Sequence, residues 1–454
     1  MTVQHLHLMG VGGVGMCGIA EVLLGEGLSV SGCDLADNAR TRRLAELGAV
    51  IHRGHHRDHL EGVDAVVMSA AVAGDEPELA AAIENGLPVI RRAEMLAELM
   101  RQRRGVAVAG THGKTTTTAL IGHLLTAAGE DPTVIVGGHA HFLGTHARVG
   151  GAPLLVCEAD EYDRSFLELV PHLAVITNLE AEHLDCYDDA DALADAFVTF
   201  ANRASVFGSA IVCADDPGAW DLRGRLRRRV VGYGSSSEAE MRLRIVGADT
   251  EGTRFEVLRS GRLLGEIRLP LPGAFNALNA LAAITVGLEL GLEFADLAAG
   301  CASFSGVARR FEVRGERDGV TVVDDYAHHP TELRAVFEAT RQTMPGRRVV
   351  AVFQPHLYSR TRDFAYDFAA ELLSADVAVV LPIYPAREQP INGISSRLVV
   401  DEAVRLGHPM VIEGAPLDEA LQQIEAILRP GDVLLTMGAG DVDELAAAWL
   451  GGSA

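Results

Sequence analysis

One stretch of the chain, Val106-Ala-Val-Ala-Gly-Thr-His-Gly-Lys-Thr-Thr-Thr-Thr118, restricts the fold more than any other. It reads as a short apolar strand, a glycine-bounded loop and the start of a helix. Of the 39 lysine and arginine residues, Lys114 is the only lysine. Lysine is a compact point charge on a thin stem, whereas arginine is a wide planar fork. A loop that wraps its backbone N–H groups around a phosphate has room only for lysine, so the stretch predicts a phosphate-binding loop.

The spacing of the two glycines leaves a second interpretation open. The general phosphate-loop pattern has four residues between its glycines, but Gly110 and Gly113 are separated by only two. An ordinary glycine-rich turn between a strand and a helix is the alternative. The apolar strand before the loop, the helical pattern that continues to Gly129 and the solitary lysine favour nucleotide binding. In that interpretation Thr115 is placed to ligate Mg²⁺.

The composition describes a globular protein of about three domains of roughly 150 residues each. The 454 residues are 48% hydrophobic and 22% charged, which allows ample cores. A formal net charge of −23 argues against a nucleic-acid partner. The six cysteines form no C-x-x-C pair and are expected to be buried and reduced. Because the sequence shows neither a signal peptide nor a long apolar span, we expect a cytoplasmic protein with no membrane partner. We further expect a monomer or weak homodimer.

Residues 1–105 show the alternation of a doubly wound domain. The strand His5–Met9 is followed by Gly10-Val-Gly-Gly-Val-Gly15 and a helix from about Met16, which together form the dinucleotide fingerprint. Asp34 ends the next strand, about twenty residues past the glycines, where an acid that binds ribose is expected. The fingerprint alone does not separate NAD from nucleotide sugars, which fit the same cradle.

Four histidines follow a short strand in the same region. His52, His55, His56 and His59 lie in a polar connector, and we find no acidic or cysteine partner for them at metal-ligand spacing. We therefore interpret this histidine segment as a solvated loop rather than a metal site.

Residues 106–308 continue with strands that end in polar side chains. Ligands bind outside the carboxyl ends of strands in an open α/β sheet. Glu158, at the end of Leu154–Cys157, is therefore expected to face Lys114 and to hold Mg²⁺. His183 is a candidate ligand of a second metal ion, with a solvated loop as the alternative. Asn276 and Asn279 open an apolar helix, either as caps or as amides that contact a base.

Two other stretches of this region predict structure rather than chemistry. Residues 223–229 are rich in arginine and predict a solvated helix face. Residues 241–270 alternate with glycine-containing turns and predict a pair of antiparallel hairpins.

Residues 309–454 repeat the α/β alternation and predict a third doubly wound domain. The strand at 320–325 ends in Asp324-Asp-Tyr-Ala-His-His-Pro330, and the strand at 349–353 is followed by Gln354-Pro-His-Leu-Tyr-Ser-Arg360. Functional groups again follow the carboxyl ends of strands. The predicted fold is α/β: Rossmann-like N- and C-terminal domains flank a central P-loop domain, whose mostly parallel sheet is joined by a small antiparallel one.

Taken together, these motifs resemble the Mur ligases, the ATP-dependent amide-forming enzymes of peptidoglycan precursor synthesis. The shortened loop Gly110–Lys114 is the form that this family uses. The matching stretches, in the family's order and over essentially the full length, are Gly10–Met16, Gly110–Thr115, Glu158-Ala-Asp-Glu161, Thr177-Asn178 followed by His183, Asn276-x-x-Asn279, Arg309-Arg310-Phe311, Asp324–Glu332 and Phe353-Gln-Pro-His356. The last two stretches are typical of the member that uses L-alanine.

The resemblance implies three domains and a reaction. Residues 1–105 would hold a UDP-sugar, residues 106–308 would bind ATP, and residues 309–454 would bring the amino acid and close over ATP. The implied reaction forms an amide between the lactyl carboxylate of UDP-N-acetylmuramate and L-alanine. The carboxylate takes the γ-phosphoryl group of ATP, and the alanine amine then displaces phosphate. Mg²⁺ and Lys114 would let two anions approach each other.

The resemblance also implies roles for individual residues. The implied catalytic residues are Lys114, His183, Glu158 and Arg310. The implied metal ligands are Thr115, Glu158 and His183. The implied ATP contacts are Gly110, Thr111, His112, Gly113, Lys114, Thr115, Thr116, Asn276, Asn279, Arg310 and Asp325. The UDP-sugar contacts are expected at Gly10, Gly12, Gly13, Gly15, Met16, Asp34, Ser69 and His112. The implied alanine site comprises Tyr326, His328, His329, His356 and Arg360.

The sequence departs from the family pattern at named positions. Phe275 stands where many members have histidine, and Leu357 where many relatives have arginine, which leaves Arg360 as the main expected anchor of the alanine carboxylate. A carbamylated lysine as metal ligand is excluded, because the chain has no second lysine.

Three other functions are alternatives to this ligase reaction. They are a recycling ligase that adds a preformed peptide to the same sugar nucleotide, an NAD-dependent oxidoreductase built on the Gly10–Gly15 fingerprint, and a non-catalytic sugar-nucleotide sensor.

Overall fold

The computed structural model of the chain contains three β-sheets with helices packed on their faces. It describes residues 3–180, 186–249, 251–386 and 388–451, and Asp163 by its backbone alone. By packing, the chain divides into two compact units. Unit 1 comprises Met1–Arg244, Phe255–Leu269 and Leu278–Val307, and unit 2 comprises Ile245–Arg254, Pro270–Ala277 and Ala308–Ala454.

The strands are β1 (His5–Met9), β2 (Ser29–Asp34), β3 (Val50–Arg53), β4 (Ala65–Met68), β5 (Val89–Arg91), β6 (Arg104–Ala109), β7 (Thr133–Ala140), β8 (Thr145–Arg148), β9 (Leu154–Glu158), β10 (Leu173–Ile176), β11 (Ser209–Cys213), β12 (Arg229–Gly234), β13 (Met241–Asp249), β14 (Gly252–Arg259), β15 (Arg262–Leu269), β16 (Glu312–Arg317), β17 (Val320–Asp325), β18 (Val349–Phe353), β19 (Val377–Val380), β20 (Val411–Glu413) and β21 (Val433–Met437).

The α-helices are α1 (Val14–Gly25), α2 (Ala39–Glu46), α3 (Pro77–Glu84), α4 (Arg92–Arg101), α5 (Lys114–Ala127), α6 (Ala190–Asn202), α7 (Pro217–Asp221), α8 (Ala274–Glu289), α9 (Phe294–Ala302), α10 (Pro330–Thr343), α11 (Tyr358–Leu372), α12 (Arg397–Arg405), α13 (Leu417–Glu425) and α14 (Asp443–Trp449). Short 3-10 turns lie at Arg57–Leu60, Tyr162–Glu168 and Leu222–Arg225. Among the described residues, no helix is both long and apolar enough to cross a membrane.

The first sheet has the strand order β3-β2-β1-β4-β5, and all of its strand pairs are parallel. Successive strands are added to one side of β1 up to β3 and to its other side from β4 onward, so the strand order reverses between β1 and β4. In such a sheet the ligand crevice opens at this reversal, outside the carboxyl ends of the strands. The glycine loop after β1 and Ser69 after β4 both border that crevice, and the Rossmann-like fold predicted for this region is confirmed.

The second sheet has the order β15-β14-β13-β12-β11-β10-β6-β9-β7-β8. In sheet order, the neighbouring strands β12, β11, β10, β6, β9 and β7 pair in parallel. The edge strand β8 is antiparallel to β7. Only two residues join β13 to β14 and β14 to β15, which permits antiparallel pairing alone. Val106 to Ala109 of β6 are fully buried, because helices cover both faces of a parallel sheet. The prediction of a mostly parallel sheet with a small antiparallel part is confirmed.

The arginine-rich run was predicted as a solvated helix face; its arginines are largely exposed, but the prediction of a helix was wrong for the end of the run. The 3-10 turn there ends at Arg225, and Arg229 begins strand β12. The guanidinium of Arg229 pairs with Glu289 at the end of α8, so the charge lies at the edge of a buried strand rather than on a helix. The apolar residues Val231 and Tyr233 of β12 are buried, and their burial in the sheet favours a strand from Arg229 onward.

The third sheet has the order β16-β17-β21-β18-β19-β20. Only β16 is antiparallel to its neighbour, and the other pairs are parallel. Its two faces bury separate apolar layers, one around Phe353 and Phe368 and the other around Val352 and Trp449. Alternate residues of β18 therefore serve opposite faces, as expected of a doubly wound sheet.

The structure agrees with the prediction for most of the cysteines and disagrees with the prediction for the histidine segment. None of the six cysteines forms a disulfide bond, and the predicted burial is confirmed for all of them but Cys186. The interpretation of the histidine segment as a solvated loop was wrong for most of its members. The side chains of His55 and His59 are only 10% and 13% exposed, whereas that of His56 is 63% exposed. Residues distant in sequence cover them, which no local spacing could indicate.

Candidate active site

The loop between β6 and α5 adopts a conformation that two glycines make possible. Gly110 has φ +141° and Gly113 has φ +80°, and other residues rarely adopt such values. A Cβ at Gly110 would lie 1.9 Å from Thr177 Oγ1, and a Cβ at Gly113 would lie 2.7 Å from Asn279 Oδ1. The loop therefore requires glycine at both positions for space as well as for backbone freedom.

Side chains that follow β10 brace this loop from one side. The Thr177 hydroxyl donates to the carbonyl of His112 over 2.6 Å. The Asn178 side chain accepts from the His112 N–H over 2.7 Å and donates to its carbonyl over 3.1 Å. The Thr111 hydroxyl accepts from the N–H of Glu180 over 2.9 Å, and His112 Nε2 lies 3.6 Å from the Glu180 carboxylate. The loop is thus preorganised by the chain itself.

Lys114 is the first residue of α5, and its ammonium is held by Glu161. The Nζ atom lies 2.8 Å from both carboxylate oxygens of Glu161 and 2.6 Å from the carbonyl oxygen of Gly110. Burial alone would lower the pKa of Lys114, but the carboxylates of Glu161 and Asp160 outweigh it and raise that pKa. Burial raises the pKa of Glu161 to about 7 against the attraction of Lys114. The lysine stays charged at the loop, beside a carboxylate that titrates near neutrality.

Thr115 and Glu158 meet at the same edge of the sheet, as predicted. The Thr115 hydroxyl donates to Glu158 Oε2 over 3.2 Å, and Glu158 also accepts from the N–H of Gly137. A hydroxyl and a carboxylate are hard oxygen donors, which Mg²⁺ prefers. Their contact distance fits two ligands of one small cation. Thr116, in the first turn of α5, is buried, and His183 lies outside the described residues.

The two predicted base-contacting asparagines are both buried and hydrogen-bonded. In unit 1, Asn279 Oδ1 accepts from the hydroxyl of Thr117 in α5 over 3.1 Å. In unit 2, the Asn276 side chain donates to the Pro272 carbonyl over 2.8 Å. These are the bonds of structural side chains, and a contact of either residue with a base stays a prediction.

The glycine loop after β1 is organised by Asp34. The Gly12 N–H donates to Asp34 Oδ2 over 2.8 Å, and a Cβ at Gly12 would lie 2.8 Å from the same oxygen. Gly10 has φ +76°, and a Cβ on it would lie 3.1 Å from Ser69 Cβ. Gly13 caps α1, whose first turns bury Met16. Asp34 therefore shapes the loop, whether or not it also contacts a ribose.

Two arginines that the sequence reasoning missed stand beside this loop. Arg40 Nε donates to the Gly12 carbonyl over 2.5 Å. A Cβ at Gly15 would lie 3.2 Å from a guanidinium nitrogen of Arg92. Each arginine lies in the first turn of a helix that follows a strand of the first sheet, and this position was the available signal. The two cations and the N-terminus of α1 suit a pyrophosphate.

In unit 2, the carboxyl end of β17 carries a buried carboxylate. Asp325 accepts the N–H groups of Phe311 over 2.6 Å and of Ala327 over 2.8 Å. Burial raises the pKa of Asp325 to about 7, although Arg310 acts in the opposite direction. The Arg310 guanidinium lies over the Tyr326 ring at 5.2 Å. The predicted residues Arg310, Asp325 and Tyr326 are thus brought together.

A second group of predicted residues follows β17 and β18. The rings of His328 and His356 lie 5.7 Å apart, and His356 stacks on Tyr384 at 5.9 Å. Burial lowers the pKa of His328 to about 3 and that of His356 to about 4, and the positive charge of Arg360 lowers both further. These imidazoles are neutral at pH 7, so they can accept hydrogen bonds from an ammonium group while Arg360 attracts a carboxylate. A zwitterionic amino acid has this pair of charges.

The remaining residues of this group have structural contacts. His329 is buried at the start of α10, and its ring meets that of Phe364 at 5.0 Å. Leu357 has φ +71° at the start of α11, a backbone strain without glycine. Tyr384 was missed because it follows β19, whose sequence carried no motif.

Comparison with known proteins agrees with these observations. Models of the Mur ligase family match residues 5–104 (Mur ligase family, catalytic domain), 108–287 (Mur ligase middle domain) and 309–440 (Mur ligase, glutamate ligase domain). The UDP-N-acetylmuramate–L-alanine ligase of Solidesulfovibrio magneticus is 48% identical over 99% of this chain and 98% of its own. That of Desulfatibacillum aliphaticivorans is 45% identical over 98% of both chains.

Solved structures show the same likeness. The UDP-N-acetylmuramate-alanine ligase of Thermotoga maritima superposes with a TM-score of 0.82 at 28% identity, over 98% of both chains. A murein peptide ligase of Psychrobacter arcticus has a TM-score of 0.72 at 22% identity over 99% of this chain and 98% of its own, and it shares the fold.

Proposed function

This chain belongs to the Mur ligase family, and we propose that it joins L-alanine to the lactyl carboxylate of UDP-N-acetylmuramate in an ATP- and Mg²⁺-dependent reaction of peptidoglycan precursor synthesis. The substrates are supported by relatives with 45% to 48% identity over nearly the whole chain that carry this activity in their names. The reaction class is supported by one geometric observation. Lys114 and the Thr115–Glu158 pair lie together at the carboxyl ends of β6 and β9, on a preorganised phosphate loop.

Different residues of unit 1 have different roles in the proposed phosphoryl transfer. The loop N–H groups and the N-terminus of α5 bind the phosphates, and the Lys114 ammonium offsets their charge. Glu161 is a positioning residue, because its two oxygens hold Lys114 until phosphate oxygens take their place. Thr115 and Glu158 would hold Mg²⁺, which when bound supplies further positive charge so that a carboxylate can approach the γ-phosphate. His183 is proposed for a second metal ion by family resemblance alone.

The sugar nucleotide is proposed to bind in the crevice of the first sheet. Its pyrophosphate would meet the glycine loop at Gly10–Gly15, with Arg40 and Arg92 as counter-charges. Asp34 keeps the loop open through its bond to Gly12. We retain the division into 1–105, 106–308 and 309–454 as part of the proposal, since each segment contributes the larger part of one sheet.

Alanine is proposed to bind in unit 2. Arg360 would attract its carboxylate, and the neutral imidazoles of His328 and His356 would accept hydrogen bonds from its ammonium. Loss of a proton from that ammonium is needed before the amine can attack an acyl phosphate.

The proposal is tested by measuring phosphate release from ATP in the presence of Mg²⁺ and UDP-N-acetylmuramate. The acceptors are L-alanine, glycine, L-serine, a tripeptide and none. We expect release that depends on L-alanine, together with a product heavier than the sugar nucleotide by one alanine residue. Release with the tripeptide but not with L-alanine would replace the proposal by the recycling ligase.

A matched pair of variants separates the metal site from general effects. Glu158→Gln should raise the Mg²⁺ concentration needed for half-maximal rate by at least about tenfold, because it removes one anionic ligand. Glu84→Gln changes an exposed carboxylate at the end of α3 in the same way and should leave that concentration unchanged. An equal effect of the two substitutions would remove Glu158 from the proposed metal site.

A further inference from the structure

A cluster of metal-ligating side chains lies in the first sheet, apart from the residues to which the proposed function gives a role. It consists of His7 on β1, Cys33 on β2, His55 and His59 in the histidine segment, and Glu78 on α3; we call it the N-terminal histidine cluster. His7 and Glu78 have fully buried side chains, and Cys33 is buried. They lie within an apolar layer that includes Met9, Val66 and Leu79.

The cluster converges on the carboxylate of Glu78. Its Oε1 atom lies 3.1 Å from His7 Nε2 and 2.8 Å from His59 Nδ1. Its Oε2 atom lies 2.8 Å from His55 Nδ1 and 3.1 Å from Cys33 Sγ. Two imidazoles therefore meet one oxygen, and a third imidazole and a thiol meet the other.

Hydrogen bonds account for three of the four contacts with Glu78 but not for that of His7. Although His7 Nε2 is close to Glu78, it makes no hydrogen bond of acceptable angle with any described residue. A buried polar nitrogen in that state costs free energy. A thiol is a weak donor, so Cys33 adds little to a buried carboxylate. The nitrogen, sulfur and oxygen atoms are nevertheless all aimed at one small volume.

We propose that His7, Cys33, His59 and Glu78 bind one divalent transition-metal ion, with Zn²⁺ preferred. Their four ligand atoms all lie within 4.8 Å of one another. Ligand atoms about 2.0–2.3 Å from a tetrahedral Zn²⁺ are separated by roughly 3.3–3.7 Å. Binding would widen the contacts of Glu78 Oε1 with His7 and His59, now 3.1 and 2.8 Å, by about 0.5 Å, and would draw any pair as far apart as 4.8 Å together by about 1 Å. Mixed nitrogen, sulfur and carboxylate ligands suit Zn²⁺, whereas Mg²⁺ and Ca²⁺ prefer oxygen alone.

The surroundings of the cluster already orient a ligand. The other ring nitrogen of His7, Nδ1, is 2.9 Å from the hydroxyl of Ser31, which leaves Nε2 to face the cluster. His59 stacks on His52 with their ring centroids 4.1 Å apart, which fixes the plane of its ring. Binding would displace the Cys33 thiol proton to water and require neutral imidazoles. With four protein ligands the site is closed, so its role is structural rather than catalytic.

The proposed site is connected to the glycine loop by main-chain bonds. The carbonyl oxygen of Cys33 accepts from the N–H of Gly10 over 2.9 Å and of Val11 over 3.0 Å. A metal ion bound to the Cys33 thiolate would therefore fix the end of β2, to which the glycine loop is hydrogen-bonded. This consequence rests on the proposed function only in that the loop binds the sugar nucleotide.

Metal content tests the site without reference to ligase activity. The full chain, with any histidine tag removed, is incubated with Zn²⁺, desalted and analysed for metal by mass spectrometry. We expect about one Zn²⁺ per chain. Cys33→Ala and Glu78→Gln should retain less than about a tenth of it, whereas His56→Ala, which removes the exposed histidine of the same segment, should retain it all.

Replacement by Co²⁺ gives a second readout that needs no variant. Tetrahedral Co²⁺ with a thiolate ligand shows visible d–d bands and a near-ultraviolet sulfur-to-cobalt charge-transfer band. We expect both bands in the wild-type chain and their loss on addition of Zn²⁺. The proposal is overturned if the wild-type chain binds no stoichiometric Zn²⁺ and shows no charge-transfer band. It is equally overturned if a folded Cys33→Ala variant retains the ion.

Discussion

Replacement of Lys114 by methionine should destabilise unit 1 as well as stop the reaction. Lys114 Nζ lies within hydrogen-bond distance of the buried Glu161 carboxylate, at 2.8 Å from both oxygens. Lys114→Met keeps the length of the stem and removes the charge. Glu161, which is 2% exposed, then faces an apolar chain. Loss of one partner of a buried ion pair removes the opposite charge that offsets the desolvation of the other, and this is the origin of the expected effect.

The magnitude can be worked from the pKa of Glu161. That pKa is about 7 with Lys114 present, against an ordinary 4.5. Ionised Glu161 therefore already costs on the order of a few kcal/mol above pH 7, at about 1.36 kcal/mol per unit. Because the folded pKa is raised, stability falls as pH rises from 4.5 to 7 in the wild-type chain. Without Lys114 the pKa rises further and the fall continues above pH 7. We expect Lys114→Met to cost about 3–5 kcal/mol at pH 8 and distinctly less at pH 6, where Glu161 is protonated.

The measurement is urea unfolding followed by tryptophan fluorescence at pH 6 and pH 8. The chain has two tryptophans, so a Trp449→Phe background leaves Trp220 as the reporter of unit 1. Lys114→Met/Glu161→Gln should recover most of the lost stability at pH 8 without recovering phosphate release. A loss that is equal at both pH values, or a double variant no more stable than the single one, would refute this account of the pair.

Three further predictions concern the loop and unit 2. Lys114→Arg should lower kcat at least about 100-fold, because the fork does not fit between the loop and Glu161; near-normal phosphate release would contradict this. Gly110→Ala should raise the KM for ATP at least about tenfold, since the Cβ would lie 1.9 Å from Thr177 Oγ1, whereas Gly129→Ala at the other end of α5 has nothing within 4 Å and should leave that KM unchanged. Asp325 has a pKa of about 7 against an ordinary 3.8, so unit 2 should lose stability as pH rises between these values. Asp325→Asn should abolish that loss in urea unfolding, and a variant that keeps the wild-type pH dependence would assign it to another group.

The parts of the fold that could be predicted are those specified by local pattern. Strand β1 has the predicted bounds, because an apolar run after polar residues is a local signal. The Thr115–Glu158 contact was predictable because parallel strands bring their carboxyl ends to one edge. Strands β7 and β8 were missed, since Gly137, Gly138 and several histidines interrupt their alternation.

The parts that could not be predicted depend on residues far apart in sequence. Cys33 and Glu78 contribute to the N-terminal histidine cluster from β2 and α3, so the spacing of the histidines carried no sign of them. Arg40 and Arg92 are two among many arginines, and only the sheet order places both beside the glycine loop. Glu161 was part of a predicted motif, but its pairing with Lys114 depends on how the chain turns after β9.

The solitary lysine gives the chain an unusual proteolytic property. An endoprotease that cuts only after lysine has a single target here, the peptide bond between Lys114 and Thr115. That bond lies in the first turn of α5, and the Lys114 side chain is 16% exposed and paired with Glu161. Cleavage therefore requires the turn to open. When opening and closing are fast relative to cleavage, the rate at which fragments 1–114 and 115–454 appear reports the population of the open turn. Ligands that bind the closed loop will slow the cut, so one gel lane can report occupancy of the phosphate loop without any turnover.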